Sequence, residues 1–295
     1  MPIVTPSHCS PKVSTTIKEI RAAARAARRS GKRVGLVPTM GALHQGHLSL
    51  VRAANQQCDV VIVSIFVNPL QFGPQEDLSN YPRTFDRDRG LLEKEGIDLI
   101  FAPSAAEMYP GGAGTLVEVV GLSERLDGRS RPGHFRGVTT VVSKLFHIVE
   151  PDKAFFGQKD AAQVAIIKRM VCDLDMPVEI VVCPIVRESD GLALSSRNTY
   201  LDSGQRKQAL VLSRALYRVE ELFRQGERRV PVLEAAGQQV FREEPPVRLD
   251  YLSLVDPNSL EPVTEAVPGT LVAVAAYVGG TRLIDNVTLG KSSSG

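Results

Sequence analysis

Two histidines three residues apart open the chemical reading of this chain. They close the run Met40-Gly41-Ala42-Leu43-His44-Gln45-Gly46-His47, which lies between the apolar residues 34–37 and a helical pattern over 48–55. A strand-to-helix junction presents backbone N–H groups and the positive end of a helix dipole, so it favours an anion. Gly41 and Gly46 carry no side chain and let a ligand approach the backbone closely. The imidazoles of His44 and His47 can donate hydrogen bonds to phosphate oxygens as negative charge builds in a transition state. An isolated H-x-x-H pair more often belongs to a surface or a core. Its place after a strand and before a helix turns the reading towards phosphate chemistry. A metal site is the weaker alternative, because no third ligand stands at a usual spacing.

Two later segments carry complementary charge. Gly157-Gln158-Lys159-Asp160 follows a short apolar run. Lys159 suits a point charge on a phosphate, and Asp160 suits ribose hydroxyls or the N-cap of the next helix. The plain alternative is a capped turn with an exposed lysine. Leu194-Ser195-Ser196-Arg197-Asn198 follows the turn Ser189-Asp190-Gly191 and reads as a phosphate clamp or as a polar loop. Taken together, the three segments match the combination used by adenylate-forming enzymes and nucleotidyltransferases. A triphosphate carries about four negative charges, and attack on it by a carboxylate is electrostatically opposed unless cations and donors flank it.

The elements that must position these groups follow from periodicity. Helices are expected over 15–29 (Ser14 as N-cap, Gly31 after the end), 48–55, 86–95, 137–149 and 161–170. Strands are expected over 34–37, 59–67, 99–102, 153–156 and 179–183, with 115–120 strand-like. Residues 59–67 are almost wholly apolar and β-branched, as in a parallel strand buried on both faces. Strands alternating with helices predict an α/β fold with a doubly wound parallel sheet. That alternation stops near Pro184. Helical segments over 204–224 and 232–241, then strands over 248–255, 271–277 and 281–289, predict a smaller α+β domain hinged around 184–190.

Composition narrows the classes. The chain has 295 residues, 43% apolar and 23% charged, enough for a sizeable core without staples. A formal net charge of +2 is too mild to argue for nucleic acid. Arg25, Arg28, Arg29, Lys32 and Arg33 read as the solvated face of a helix, since no aromatic residues are interleaved to stack bases. Cys9, Cys58, Cys172 and Cys183 lack paired spacing and read as free thiols of a reducing compartment. No run approaches a transmembrane length, and MPIVTPSHCSPKV lacks the apolar core of a signal peptide, so a cytoplasmic location is expected. A few residues at the start and the closing KSSSG read as candidates for disorder. His8 is placed in that terminus and His147 on a helix surface, while His134 either lines a loop or caps a helix. Phe66, Phe72, Phe155 and Phe156 read as core or pocket wall.

VPTMGALHQGH, SIFVNPLQF, YPRTFDRD, SRPGHFRGV, FFGQKD and DGLALSSRN occur in the order and approximate spacing of the pantothenate synthetase (pantoate–β-alanine ligase) family, which the chain resembles from about residue 14 to residue 289. The resemblance implies a Rossmann-like domain binding ATP and pantoate over 1–184, a smaller C-terminal lid over 185–295, and a homodimer. It implies that pantoate attacks the α-phosphorus of ATP, accompanied by Mg2+, and that β-alanine then takes the acyl group from pantoyl adenylate. The products would be pantothenate, AMP and pyrophosphate. Carried over by position, Met40, Gly41, Ala42, Leu43, His44, Gln45, Gly46 and His47 would hold ATP. Gly157, Gln158, Lys159, Asp160, Val186, Leu194, Ser195, Ser196 and Arg197 would complete its site, with Val186 contacting adenine through its backbone. His44, His47 and Lys159 would be catalytic, His47 at the position assigned to a proton donor. Asn68, Gln71 and Gln163 would bind pantoate, with Tyr81 and Arg131 lining its pocket. Asp88, near Asp86 in YPRTFDRD, is the single metal candidate. Gln158 departs from the family, where glutamate is more usual.

Two other readings remain open to the sequence. A nucleotidyltransferase moving AMP onto a phosphorylated acceptor would share the histidine pair, but the amides of Asn68, Gln71 and Gln163 lack the charge that such an acceptor calls for. A non-catalytic nucleotide binder would not need His44, His47, Lys159, Ser195, Ser196 and Arg197 together. The ligase reading requires His47, Lys159 and Arg197 to serve one polyphosphate.

Overall fold

β-Branched runs too apolar to face water on either side must be covered by helices on both, and this constraint shapes the larger sheet. The structure, a computed structural model, describes residues 10–73 and 78–290; His8, Cys9 and the KSSSG tail lie outside the described residues. The chain divides into two compact units.

The first unit takes in Met1–Glu118, Arg136–Phe156 and Val171–Cys183. Its sheet contains β1 (Lys12–Ser14), β2 (Val34–Thr39), β3 (Val60–Ile65), β4 (Leu99–Phe101), β5 (Lys153–Gly157) and β6 (Glu179–Cys183), in the order β1-β4-β3-β2-β5-β6. The pairings of β1 with β4, β4 with β3, β3 with β2 and β2 with β5 are all parallel. Helices α1 (Ile17–Arg29), α2 (Gln45–Gln57), α3 (Phe85–Lys94), the short α4 (Ala105–Met108) and most of α6 (His134–Val149) accompany it. From β2 the chain steps one way through β3 to β4, then returns to the other side of β2 for β5 and β6. The strand order therefore reverses beside β2, where open α/β sheets bind their ligands at the strands' C-terminal ends. The H-x-G-H run leaves the end of β2, and Gly157-Gln158-Lys159-Asp160 continues from β5.

Three local expectations change. Ser14 is not a helix cap but the buried last residue of β1, an edge strand too short to show a period; Thr16 caps α1 instead, accepting from the Glu19 N–H at 3.3 Å. Residues 115–120 join neither sheet. The Val117 N–H donates to Thr140 Oγ1 at 3.0 Å and its carbonyl accepts from Thr139 Oγ1 at 2.5 Å, so hydroxyls on α6 stand in for a neighbouring strand. The helix expected over 204–224 is two, α8 (Ser203–Gln208) and α9 (Leu210–Arg224), meeting at Ala209.

The second unit takes in Val119–Phe135, Gly157–Met170 and Pro184–Gly295. It contains α5 (Asp127–Ser130), most of α7 (Ala161–Asp173), α8, α9, α10 (Val230–Arg242) and an antiparallel sheet of β7 (Val247–Val255), β8 (Leu271–Val278) and β9 (Thr281–Thr288) in that order. Its core packs Val211, Leu212, Leu216 and Val219 of α9 with Leu233 and Phe241 of α10 and Val272, Val274 and Ala276 of β8. No helix among the described residues is long and apolar enough to cross a membrane. Of the described cysteines, Cys58, Cys172 and Cys183 are free thiols.

An ionic knot fastens the 119–135 segment within this unit. Arg282 of β9 pairs with Asp127 at 2.7 Å and with Asp250 at 2.8 Å. The Tyr251 hydroxyl meets Asp127 Oδ1 at 3.2 Å, and the Ser130 hydroxyl donates to Asp250 Oδ2 at 2.7 Å. Burial, reinforced by the Asp127 charge, raises the Tyr251 phenol well above its usual range, so it stays a donor. Removing one partner from such a knot strands the others in a poorly solvated place. Arg282→Ala is expected to lower unfolding free energy by about 3 kcal/mol. Urea denaturation followed by circular dichroism measures it, and a loss under about 1 kcal/mol would show the knot to be solvated after all.

Candidate active site

The loop after β2 is built around a carboxylate. Gly41 (φ +84°) and Ala42 (φ +50°) both have left-handed backbone, which turns the next N–H groups inward. The Ala42 and Leu43 N–H groups donate to Asp88 Oδ2 and Oδ1 at 2.8 and 2.9 Å. The Thr84 hydroxyl adds a bond of 3.2 Å to each oxygen, and Asp88 is fully buried. A Cβ on Gly41 would stand 3.1 Å from Asp88 Oδ2 and 3.2 Å from Ile65 Cγ2, so the left-handed turn and the close approach both require glycine there. The anion held by these amides is thus internal. Asp88, the sequence's metal candidate, braces the loop with both oxygens and is not presented to a cation. Among the described residues no group of three or more His, Cys, Asp or Glu could hold a metal ion.

The histidines then cap α2 reciprocally. The Gly46 N–H donates to His44 Nδ1 at 3.1 Å, the His44 N–H donates to His47 Nδ1 at 3.3 Å, and the ring centroids lie 4.1 Å apart. An Nδ1 that accepts a hydrogen bond carries no proton, so each neutral ring bears its hydrogen on Nε2. The capping geometry fixes both tautomers and makes both Nε2 atoms donors. Gln45 is exposed, and its carbonyl oxygen accepts from Arg52 Nη2 at 3.3 Å.

A second group in the same unit forms around the turn after β3. Asn68 is buried, and its Nδ2 donates to Gln71 Oε1 at 3.2 Å and to the Gly137 carbonyl at 3.0 Å. Its Oδ1 accepts from the Leu70 N–H at 3.3 Å and the Tyr109 hydroxyl at 2.8 Å. Gln71 Nε2 donates to the Met40 thioether at 2.7 Å. Tyr81 is buried edge-on against Phe72, with centroids 5.8 Å apart. Phe66, Phe155 and Phe156 are buried, Phe72 is half-buried and His147 is exposed.

The remaining candidates lie in the second unit. Lys159 sits in a 3-10 turn, Gln158–Asp160, with its ammonium 3.6 Å from Asp160 Oδ1. Buried Asn286 of β9 clasps that turn: its Nδ2 donates to the Gln158 and Lys159 carbonyls at 3.0 and 2.9 Å, and its Oδ1 accepts from Gln158 Nε2 at 3.0 Å. Arg187 holds the neighbouring Asp285 by two bonds of 2.6 and 2.9 Å. Burial pushes the Asp285 carboxyl up, while Arg187 opposes that shift. The Val186 carbonyl accepts from the Leu194 N–H at 3.0 Å, and the Ser195 hydroxyl accepts from the Arg197 N–H at 3.3 Å. Gln163 is half-buried, one helical turn past Asp160. Arg131 Nη1 lies 3.0 Å from Nε2 of His134, the first residue of α6.

The structure therefore gathers Met40, Asn68 and Gln71 into one hydrogen-bonded group, pairs His44 with His47, and seats Lys159 in a clasped turn. Sequence reasoning missed Tyr109, Asn286, Arg187 and Asp285, whose partners lie far along the chain with no spacing to betray them. Gly137 was visible only as a letter of SRPGHFRGV. A Cβ there would stand 2.1 Å from the Leu70 carbonyl oxygen and 2.6 Å from the Gln71 nitrogen. Gly137→Ala is accordingly expected to displace the Gln71 turn and lower stability by about 2–3 kcal/mol; an unchanged thermal midpoint would mean that the contact relaxes freely.

Comparison with known proteins agrees with this architecture. The family model described as pantoate-beta-alanine ligase matches residues 12–288. The chain is 62% identical to the pantothenate synthetase of Koribacter versatilis, over 94% of this chain and 96% of that protein. It is 56% identical to that of Moorella thermoacetica, over 93% and 97%. The crystal structure of pantothenate synthetase from Thermus thermophilus superposes with a TM-score of 0.89 at 48% identity, covering 94% of this chain and 99% of that one. That of pantoate-beta-alanine ligase from Francisella tularensis, complexed with beta-gamma ATP and beta-alanine, superposes with a TM-score of 0.74 at 34% identity, covering 94% and 97%. Sequence, strand order and these relatives agree: the chain belongs to the pantoate–β-alanine ligase family.

Proposed function

We propose that this chain joins pantoate to β-alanine through pantoyl adenylate, with ATP as co-substrate, and that the paired histidines carry the first step. The observation that supports this most directly is the reciprocal cap, which holds two Nε2–H donors at the strand-order reversal. Donors fixed before the reaction stabilise developing phosphoryl charge without reorganising. In this reading His44 and His47 bond the ATP phosphates, and His47 Nε2–H donates a hydrogen bond as pyrophosphate departs. Lys159 and Arg197 neutralise the same polyphosphate. Met40, Gly41, Ala42, Leu43, Gln45, Gly46, Gly157, Gln158, Asp160, Val186, Leu194, Ser195 and Ser196 shape the nucleotide's surroundings. Gln71, Gln163, Tyr81 and Arg131 receive pantoate. Asn68, whose donors and acceptor are all engaged within the protein, orients Gln71. Among the described residues no carboxylate set fits a resident Mg2+; the ion belongs with the phosphates of ATP and their water, as is usual for it.

Residues 1–184 are assigned to ATP and pantoate and 185–295 to a lid. The Lys159 turn is clasped by Asn286, so a lid movement would carry the lysine with it. A cytoplasmic site of action suits the free thiols. A homodimer suits the segment 115–120, which joins neither sheet and leaves Leu116 and Val120 45% and 88% exposed. Exposed apolar side chains of this kind favour cover by a second copy. A transferase acting on a phosphorylated acceptor is not favoured, since the relatives matched over almost the whole chain are pantothenate synthetases.

Exchange of labelled pyrophosphate into ATP is expected to require pantoate and not β-alanine. His47→Ala is expected to slow that exchange by about 10²–10³-fold while the protein still folds. Exchange independent of pantoate, or a variant near the wild-type rate, would defeat the assignment. Sedimentation is expected to give twice the chain mass of 32.0 kDa, and Leu116→Asp with Val120→Asp to give a monomer. A monomeric wild type would remove the dimer.

A further inference from the structure

Successive residues of a β-strand point to opposite faces, so two adjacent side chains can hold two different partners. Asp285 and Asn286 of β9 form such a pair, and both are buried. On the face of Leu283, a core residue, Asp285 takes both Nη atoms of Arg187. Arg187 opens a tight hairpin. The Glu188 N–H donates to the Leu192 carbonyl at 2.8 Å, the Leu194 N–H donates to the Val186 carbonyl at 3.0 Å, and Arg187 Nη1 donates to the Gly191 carbonyl at 3.0 Å. The returning arm runs straight into Ser195-Ser196-Arg197, and Asn198 Nδ2 reaches back to the Ala193 carbonyl at 3.1 Å. On the other face Asn286 clasps the Lys159 turn through the Gln158 and Lys159 carbonyls and Gln158 Nε2. Both 3-10 turns, Gln158–Asp160 and Ser196–Tyr200, lie against β9. Burial pushes the Asp285 carboxyl up, and the charges of Arg187 and Lys159 oppose that shift.

We propose that Asp285 and Asn286 are positioning residues for ATP: from opposite faces of β9 they hold the hairpin that leads to Arg197 and the turn that carries Lys159, so that one strand sets both cations. The inference rests on the reading of Lys159 and Arg197 as groups of the nucleotide site. A cation stabilises developing phosphoryl charge best when it is in place before the reaction. Lysine and arginine have long stems with many rotamers, so their reach depends on where the backbone starts. Short 3-10 turns have poor hydrogen-bond geometry of their own and need an outside anchor. The two anchors are separable. Asn286 holds the Lys159 turn with its side chain, whereas Arg187 reaches Asn286 only at the backbone carbonyl, so truncating Asn286 leaves the hairpin's bonds in place.

Pantoate-dependent pyrophosphate exchange in single and double variants tests this. Asn286→Ala is expected to lower kcat about tenfold while the pantoate KM stays within about twofold. In a Lys159→Ala background the same change is expected to cost nothing further, because the group it positions is gone; in an Arg197→Ala background it keeps its effect. Arg187→Met with Asp285→Leu removes both buried charges at once and leaves neither unpaired. That pair is expected to mirror the pattern, silent beside Arg197→Ala and effective beside Lys159→Ala. A merely structural strand would give losses that add in both backgrounds and would disturb both substrates alike. Such additive losses, or wild-type exchange in Asn286→Ala, overturn the proposal. Asn286→Ser, too short to span both carbonyls, replaces the alanine variant if that one does not fold. Lys159→Ala and Arg197→Ala on their own separate the two ideas. If both keep near wild-type exchange, neither is a nucleotide residue and the inference falls with that reading. If both lose exchange while Asn286→Ala does not, only the role of β9 is lost.

Discussion

A fully buried carboxylate is expensive unless hydrogen-bond donors surround it, and Asp88 has two backbone N–H groups and a hydroxyl. That arrangement explains why the loop after β2 has its shape. Two successive left-handed residues are unfavourable in general, and Ala42 is not even a glycine. The charge-assisted bonds at Ala42 and Leu43 offset that strain and end the loop where His44 can cap α2. The histidine tautomers, and with them the donors offered to a ligand, follow from an acid that faces no ligand at all. A family-based expectation of a metal-binding acid at this position conflicts with this use of its oxygens.

What the sequence could show is what depends on neighbours in the chain. The H-x-G-H junction was legible because strand, loop and helix are contiguous, and a residue three places from another must face it across a helix N-terminus. The parallel sheet was legible because a strand such as β3, buried on both faces, has to be apolar throughout. The braces were not legible. Asp88 meets the loop across a separation of 46 residues, Tyr109 meets Asn68 across 41, and Asn286 meets Lys159 across 127. Nothing in the local pattern of an aspartate, a tyrosine or an asparagine signals such a partner. Residues 115–120 failed for a related reason. Their β-propensity is real, but propensity describes a surface that suits a strand and not whether one lies alongside. The hydroxyls of Thr139 and Thr140 took that place.

In the proposed reaction, the amides of Gln71 and Gln163 meet the acid, while Lys159 and Arg197 meet the phosphates. This division has a physical reason. An amide N–H binds an oxygen of the acid without adding net charge. An amide in turn needs its orientation fixed, because its two ends differ little in shape and oppositely in sign. Saturated hydrogen bonding does this at Asn68, where each donor and acceptor has a partner within the protein. Rigid recognition by uncharged groups therefore depends on a connected network, and such a network works only when every member is satisfied.

The same reasoning accounts for Gln158, where the family resemblance would more often place a glutamate. Its Nε2 donates to Asn286 Oδ1, while Asn286 Nδ2 serves the Gln158 and Lys159 carbonyls. A glutamate there would face Asn286 Oδ1 with a second acceptor. Asn286 would have to turn its amide over, and the two carbonyls at the Lys159 turn would then meet an oxygen. Glutamine at 158 and asparagine at 286 are therefore compatible with each other in a way that glutamate and the present amide orientation are not. Apart from the change in charge, the substitution preserves the clasp that seats Lys159. Arg187 and Asp285 hold β9 from its other side, as the Arg187 guanidinium also donates to the Asn286 carbonyl at 3.3 Å. Lys159 is thus fixed by its backbone, through an uncharged side chain, and in the proposed reaction its ammonium, 3.6 Å from Asp160 Oδ1, would turn to the nucleotide.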